Sequence, residues 1–472
     1  MKIQFSHYFF ATNNLVLLVL SLFLFNCSSN DTPSIQQEEE QEEEQEETVI
    51  SPEDRLPLVA ISTNGNQIVD EPKIDATFTI IEGDAVSYEG GMGIEIRGAS
   101  SQMFPKKSFG FETRDAANED LDVPVLEFPE EEDWILYAPY SDKSLMRNML
   151  IYDLSRDMNQ YASRTKFVEV TINDSYQGVY VFMEKLKRDS GRIDINKLKE
   201  DENSGEDVTG GYILKIDKTA GTNLGEGYND QNSFVSTVAP PNANLGQEIN
   251  FLYEEPDAAD ITMEQKTYIS NYVGQFEAAL ASDAFTNIET GYEAFIDVDS
   301  FIDFFILNEL SNNVDGYRIS TYMHKDKNEK LKMGPIWDFN LAFGNADYCD
   351  GGSTNVWAYQ FNQRCPQDFL LVPFWWERLL QDPSYVAKLQ SRWNELRGSS
   401  LSNGAILSKI DFYTALLSVS AATKNNFIRW PVLGTYIWPN NFVGNTSEQE
   451  LGYLTDWIEN RLLWMDTEID GL

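Results

Sequence analysis

From Leu56 to Glu112, apolar and polar side chains alternate with the period of two that a pleated strand imposes. The runs Leu58-Val-Ala-Ile-Ser, Ala76-Thr-Phe-Thr-Ile-Ile and Gly93-Ile-Glu-Ile-Arg97 read as strands broken by turns. Alternation resumes after Pro105 in Lys106-Lys-Ser-Phe-Gly-Phe-Glu112. Its phase puts Lys107 with Phe109 and Phe111, and Lys106 with Ser108 and Gly110, so Lys107 is the lysine expected to point inward. Asp133-Trp-Ile-Leu-Tyr is a short strand or turn, and Ser141-Asp-Lys-Ser-Leu-Met-Arg-Asn opens a helix running to about Met158. Phe167-Val-Glu-Val-Thr-Ile, the turn Asn173-Asp174, and Gly178-Val-Tyr-Val-Phe-Met-Glu-Lys form a hairpin. Gly210-Gly-Tyr-Ile-Leu-Lys-Ile-Asp is a further strand, and residues 221–256, rich in Gly, Asn and Pro, read as a long loop. From Met263 onward the spacing becomes helical, most clearly over Met263–Ser282 and Val298–Ser311. Strands first and helices later predict an α+β fold, with a small β-rich N-lobe over about 56–215 and a helical C-lobe over about 257–472.

Ahead of residue 56 the pattern is different. Lys2 and the apolar run Leu15–Phe25 read as an export signal over residues 1–26. Leu24-Phe25-Asn26-Cys27-Ser28-Ser29 resembles a bacterial lipoprotein cleavage site, with Cys27 as the lipid-bearing residue. An ordinary signal peptide or an uncleaved anchor is the alternative. Residues 27–55 include Glu38–Glu47, interrupted only by two glutamines, and read as a disordered acidic tether. The expected location is outside the cytoplasm, lipid-anchored to a bacterial membrane, with the cell surface as one candidate face. Residues 56–472 would be the folded domain.

Net charge changes the picture further. At −41, the chain repels phosphate backbones, which argues against a nucleic-acid partner. Apart from Cys27 the cysteines are Cys349 and Cys365, spaced to close one short loop. An extracytoplasmic compartment permits a disulfide there, worth about 3 kcal/mol in the loop-entropy model, with two buried thiols as the alternative. Outside the signal segment the one histidine is His324, which argues against a zinc site and a Ser-His-Asp hydrolase.

The candidate chemistry follows from these elements. Arg97-Gly-Ala-Ser100-Ser lies between strands, where backbone N–H groups of small residues can approach an anion and Lys106 or Lys107 can pair with it. The strand ending Met183-Glu184-Lys185 leads into a connection whose backbone could meet a ligand edge, or is simply an edge strand. The helix over Phe301–Leu310 is apolar nearly all round and delivers Asp315 into a loop, a placement suited to a general base or to orienting a hydroxyl. The hairpin Arg318–His324 / Leu331–Ile336 then returns the chain to Asp338, which beside Trp337 and Phe339 could hold a divalent cation. Trp375, Trp376, Trp393, Trp430, Trp438, Trp457 and Trp464 could form a carbohydrate platform but read as core.

Helix, aspartate-bearing loop, hairpin and second aspartate is the order used by protein kinases. Together with Arg97-Gly-Ala-Ser-Ser, Pro105-Lys-Lys-Ser-Phe, Asp133-Trp-Ile-Leu, Asp142-Lys-Ser-Leu-Met-Arg147-Asn148, Gly178-Val-Tyr-Val-Phe-Met-Glu184, Gly210-Gly-Tyr-Ile-Leu, Asn313-Val-Asp315 and Pro335-Ile-Trp-Asp338-Phe-Asn-Leu-Ala-Phe-Gly344, it resembles the CotH kinase family. The resemblance implies an atypical protein-kinase-like two-lobe fold and transfer of the ATP γ-phosphate, with Mg²⁺ or Mn²⁺, to Ser/Thr of an exported protein substrate. It implies Asp315 as the catalytic aspartate and Asp338 as the metal ligand, with Lys106 or Lys107 on the nucleotide phosphates and Arg97 and Ser100 shaping the loop over them. Glu184 and Arg147 are matched positions, Glu184 being grouped with the nucleotide-binding set. Ser320 and Asn340 stand where the family often has asparagine and aspartate, so they become uncharged candidate metal ligands. Asp142 or Asp153 would be the lysine's acidic partner. The competing reading is a catalytically silent kinase-like surface-binding protein, an adhesin or scaffold.

Overall fold

The alternating N-terminal segments close on themselves. In the computed structural model, which describes residues 50–219 and 227–472, the seven strands are β1 (Leu58–Ser62), β2 (Ile74–Glu82), β3 (Ala85–Arg97), β4 (Ser108–Arg114), β5 (Asp133–Tyr137), β6 (Thr165–Ile172) and β7 (Ser175–Glu184). They form a closed barrel in the order β1-β2-β3-β4-β5-β7-β6. Closure comes from a parallel pairing of β1 with β6, Leu58 opposite Glu169. Every second residue points inward, and Phe78, Ile94, Phe111, Trp134, Val168 and Phe182 pack one interior core. Each such side chain contributes about 1.5–3 kcal/mol on full burial. The β6–β7 turn has positive φ at Asn173 and Asp174, 48° and 62°, as a two-residue hairpin of this hand requires. The expected export signal, Cys27 and Glu38–Glu47 lie outside the described residues.

Between β5 and β6 lies α1 (Arg147–Asp157), six residues shorter at its start than the spacing suggests. The Asp142 carboxylate explains the delay. It accepts the backbone N–H groups of Ser144 at 3.1 Å and Arg147 at 2.9 Å, holding Ser141–Met146 in a buried turn ahead of the helix.

A second, five-stranded sheet has the order β12-β11-β8-β10-β9. Its strands are β8 (Tyr212–Ile216), β9 (Ser233–Val235), β10 (Asn250–Glu255), β11 (Thr321–Lys325) and β12 (Lys332–Met333). Two of them, β9 and β10, fall within the expected loop over 221–256. Glycine, asparagine and proline mark the turns there, but Phe251 pairs with Ile216 of β8, a tertiary partner that local composition does not reveal.

The helices follow the predicted order. α2 (Met263–Ala281) begins with a Thr262/Gln265 capping box, and α3 (Val298–Ser311) is buried on all sides apart from Asp299. Beyond them come α4 (Phe361–Arg364), α5 (Trp375–Leu379), α6 (Pro383–Arg397), α7 (Asn403–Val419), α8 (Ala422–Arg429) and α9 (Ser447–Asp470). Trp375, Trp376, Trp393, Trp430 and Trp457 are buried and Trp464 packs against the core, whereas Trp438 is 42% exposed. Cys349 and Cys365 are joined in a disulfide, with their Cα atoms 5.8 Å apart. The fold is thus α+β, a barrel region followed by a helix-rich region.

Candidate functional site

The loop carrying Asp315 is fixed by what α3 buries. Glu309, fully buried on that helix, accepts N–H groups from Ala358 at 2.6 Å and Tyr359 at 2.9 Å. The Tyr317 hydroxyl donates to it at 2.9 Å, and Arg461 of α9 pairs with it at 3.3 Å. The helix ends at Asn312 in the left-handed region, φ 41°, and the Asn312 amide donates to the carbonyls of Asp350, Gly351 and Ser353. Tyr317, φ 69°, turns the chain back. Asp315 emerges from this frame with Arg318 3.2 Å from one oxygen and the Tyr348 hydroxyl 3.5 Å from the same one.

Asp338 is held from below by α1. Its own N–H donates to the Tyr152 hydroxyl at 3.0 Å, and the next N–H, of Phe339, to the Asn148 side-chain oxygen at 2.7 Å. Arg147, paired with Asp142 at 2.5 Å, donates to the Ala342 carbonyl at 3.1 Å and so pins the same loop. Arg147 and Asn148, both matched motif positions, therefore set the backbone that aims Asp338. The backbone of Asp338 itself is left-handed, φ 62°, a conformation costly for a non-glycine residue and common at functional sites.

The Asp338 carboxylate has no hydrogen-bond donor among the described residues. Burial pushes its pKa up to about 7, and the negative charges of Asp315 and Asp217 push in the same direction, against the pull of Arg97 and Lys218. Asp217 follows β8, whose Ile216 pairs with Thr321, so it meets the turn ahead of β11. It accepts the backbone N–H groups of Ser320 and Lys218, and burial raises its pKa as well. Arg97, the last residue of β3, brings its guanidinium to 5.6 Å from the Trp337 ring centroid, and Trp337 stacks on Tyr152. Asp315, Asp217, Arg97 and Lys218 thus all lie within electrostatic range of Asp338. A buried carboxylate held without a donor among the described residues is suited to a divalent cation, for which Asp338 offers oxygen ligands.

Other predicted residues lie elsewhere or do something else. Lys107 is not the inward lysine: its amine donates to the Gln102 carbonyl, and Lys106 is the buried one. Phase fails because β4 starts only at Ser108, leaving both lysines in irregular backbone after Pro105. Lys106 reaches the Val179 carbonyl at 2.5 Å and Asn426 of α8 at 2.9 Å, and burial among neutral partners pushes its pKa well down. Glu184 is consumed by Arg164 at 2.5 Å and by Tyr161 at 3.2 Å. Asp142 serves Arg147, and Asp153 serves Arg156 and Tyr413, so neither is an acidic partner for a lysine. Ser100 is exposed in a short 3-10 turn. Ser320 meets the site through its backbone, with φ 49°, while Asn340 is half-buried two residues beyond Asp338.

Asp217 is the acid that the motif reading passes over. Its signal is present in the chain: an apolar strand ending in aspartate, Tyr-Ile-Leu-Lys-Ile-Asp217, has the form of Pro-Ile-Trp-Asp338. A separate acidic group, Asp122, Glu131 and Glu132, brings three carboxylate oxygens within 4.8 Å of one another and could coordinate a metal. Lys187 already pairs there with Glu131 at 3.0 Å and Glu132 at 2.6 Å.

No curated protein matches the chain. A family model does, the one described as CotH kinase protein, over residues 94–465. That span takes in the end of β3, the barrel strands β4 to β7, both aspartate loops and most of α9, and on it the chain belongs to the CotH kinase family.

Proposed function

We propose that this protein is a metal-dependent protein kinase that transfers the γ-phosphate of ATP to Ser/Thr hydroxyls of exported proteins, the reaction to which its family is linked. The observation that carries the reading is the Asp338 carboxylate, without a hydrogen-bond donor among the described residues, on a left-handed backbone that Tyr152 and Asn148 hold in place. Asp338 would hold Mg²⁺ or Mn²⁺, and the Asn340 and Ser320 side chains would add neutral oxygens. When bound, the metal supplies neutralising charge for the nucleotide phosphates.

Asp315 orients the acceptor hydroxyl and takes its proton as the new P–O bond forms and the bond to the β-phosphate breaks, leaving ADP and a phosphoester. Arg318 keeps Asp315 in place from the far side. Tyr152 and Asn148 hold the Asp338 backbone, while the Trp337 ring beside it packs against Tyr152 and Tyr322. Lipid anchoring through Cys27 would keep this domain at a membrane, on its acidic tether.

The test is transfer of labelled γ-phosphate from ATP to a generic acceptor by the full chain, with Mg²⁺ or Mn²⁺ and with Asp338→Ala and Asp315→Ala alongside. Metal-dependent labelling lost in both variants is the expected result. No labelling and no metal-dependent nucleotide binding would leave the second reading, a kinase-like binding protein, which the neutral Ser320 and Asn340 favour.

A further inference from the structure

Acids make up 76 of the 472 residues, yet none lies between Asp411 and Glu448, where Lys424 and Arg429 are the charged side chains. That stretch takes in the second half of α7 and all of α8. Its large apolar side chains are open to solvent: Phe412 is 64% exposed, Val419 53% and Ile428 70%. On α7 the spacing of Phe412, Ala415 and Val419 makes one exposed stripe, while Ile406, Ile410, Tyr413 and Leu417 are buried. On α8, Lys424 and Ile428 stand one turn apart and both are exposed. Ile428 borders a hollow of about 400 Å³ that Tyr176, Asn425 and Arg429 also line. Arg429 is fixed there by donating to the Tyr176 carbonyl at 2.8 Å, and Lys424 has no hydrogen bond or ion pair among the described residues.

Both helices lie against the β6–β7 hairpin. The Tyr413 ring packs edge-on against Phe167 of β6 at 5.9 Å, and the Asn426 side chain accepts the Val179 N–H of β7 at 3.1 Å. The start of β1 lies along the same β6 strand, with the Pro57 carbonyl accepting the Glu169 N–H at 2.9 Å. The Glu169 carboxylate in turn accepts the Tyr176 hydroxyl at 2.5 Å and a hydrogen bond from Asn425, two of the residues that line the hollow. Ile50, the first described residue, is only seven positions before Pro57. The segment leading back to Cys27 therefore leaves the domain near this face.

We propose that the exposed face of α7 and α8 is a membrane-surface contact, with Phe412, Val419 and Ile428 at the headgroup–acyl boundary and Lys424 and Arg429 among anionic headgroups. Charge selects that occupant. A chain of net charge −41 is repelled by anionic lipid over most of its surface, and the acid-free face is the one it can turn toward a bilayer. Shape agrees. Taken together, α7 and α8 match a membrane segment in length and composition, but they bend by 71° and α7 spends its other side on the core. The pair is thus built to lie along a bilayer surface rather than to cross it. Lys424 and Arg429 can bury their stems while their charged ends stay at the headgroups. The contact depends on the anchor expected at Cys27 to bring the domain to a bilayer, and it is independent of the catalytic reading.

The experiment reconstitutes the full chain into vesicles of phosphatidylethanolamine and phosphatidylglycerol whose acyl chains carry nitroxides. Phe412, Ile428 and, as the control, Ile288, which is 75% exposed elsewhere, are replaced in turn by a fluorescent amino acid. Quenching by the lipid nitroxides should be about threefold stronger at positions 412 and 428 than at 288, and weaker in vesicles of phosphatidylcholine alone. Val419→Glu combined with Lys424→Glu should bring quenching at 412 and 428 down to the level at 288. Both changes fall on exposed side chains, so thermal melting should not move. Equal quenching at all three positions, in a chain that floats with the vesicles, overturns the contact and leaves the anchor. Quenching that survives the double variant also overturns it. A chain that does not float with the vesicles overturns contact and anchor together. Labels at 412 and 428 that are sheltered from aqueous iodide yet untouched by lipid nitroxides are covered by protein, and that too overturns the membrane contact.

Discussion

Glu309 and Asp338 are both carboxylates that burial pushes toward the protonated form, and they could hardly be surrounded more differently. Glu309 receives two backbone N–H groups, a tyrosine hydroxyl and a guanidinium whose other donors reach the Thr354 and Val356 carbonyls. Among the described residues Asp338 receives none, and the charges of Asp315 and Asp217 act on it instead. A buried charge with a full set of donors organises structure, and one kept without them is available to a ligand. The contrast separates the acid that holds the Asp315 loop from the acid that would hold a metal.

Breaking the satisfied side should do the most damage to the fold. Glu309→Ala leaves the fully buried Arg461 uncompensated, and urea unfolding should show a loss of about 3–5 kcal/mol. Its activity, measured on the fraction still folded, should fall as well, because the Asp315 loop hangs from the same helix. A Glu309→Ala protein as stable as wild type would dissolve the comparison.

Asp338→Ala should act in the opposite way, with phosphoryl transfer lower by roughly a hundredfold to a thousandfold, the scale of removing one preorganised electrostatic group, and no loss of stability. Metal binding sharpens the same point. Saturation with Mn²⁺ at about a hundred times its dissociation constant should stabilise the wild-type chain by about 2.7 kcal/mol in thermal melts and leave Asp338→Asn unmoved.

The smallest effect is the most diagnostic. An aspartate whose folded pKa stands at about 7, above its unfolded value, loses stability for the fold as pH rises through that range. Without metal, Asp338→Asn should therefore match wild type near pH 4 and exceed it at pH 8. The full shift corresponds to about 4 kcal/mol, and partial solvent access at the site reduces the expectation to about 1–2 kcal/mol. A melting-temperature difference that is flat with pH would show that Asp338 is not under this strain.

Much of the site could be read from the sequence because its acids sit at element ends. The largely apolar α3 announced the loop bearing Asp315, and an apolar strand-like run announced Asp338. What the sequence hid was non-local. Lys107 shares a strand phase with Phe109 and Phe111, but that phase has no force before Ser108, where the ladder begins. Barrel closure depends on β1 meeting β6 in parallel, a pairing with no local signature. Asp217 was visible as a strand end, yet only the β8–β11 register brings it to Ser320. Arg147 and Glu184 were visible as motif positions, and their partners, Asp142 and Arg164, required coordinates.

The same closure has a consequence for how the molecule meets its surroundings. A seven-stranded sheet that joins its first strand to its sixth has no edge strand, and the second sheet ends in strands of only two and three residues. Open strand edges are templates on which other extended chains add themselves, and this protein offers almost none. An extended chain that meets this domain thus finds little ladder on which to add itself.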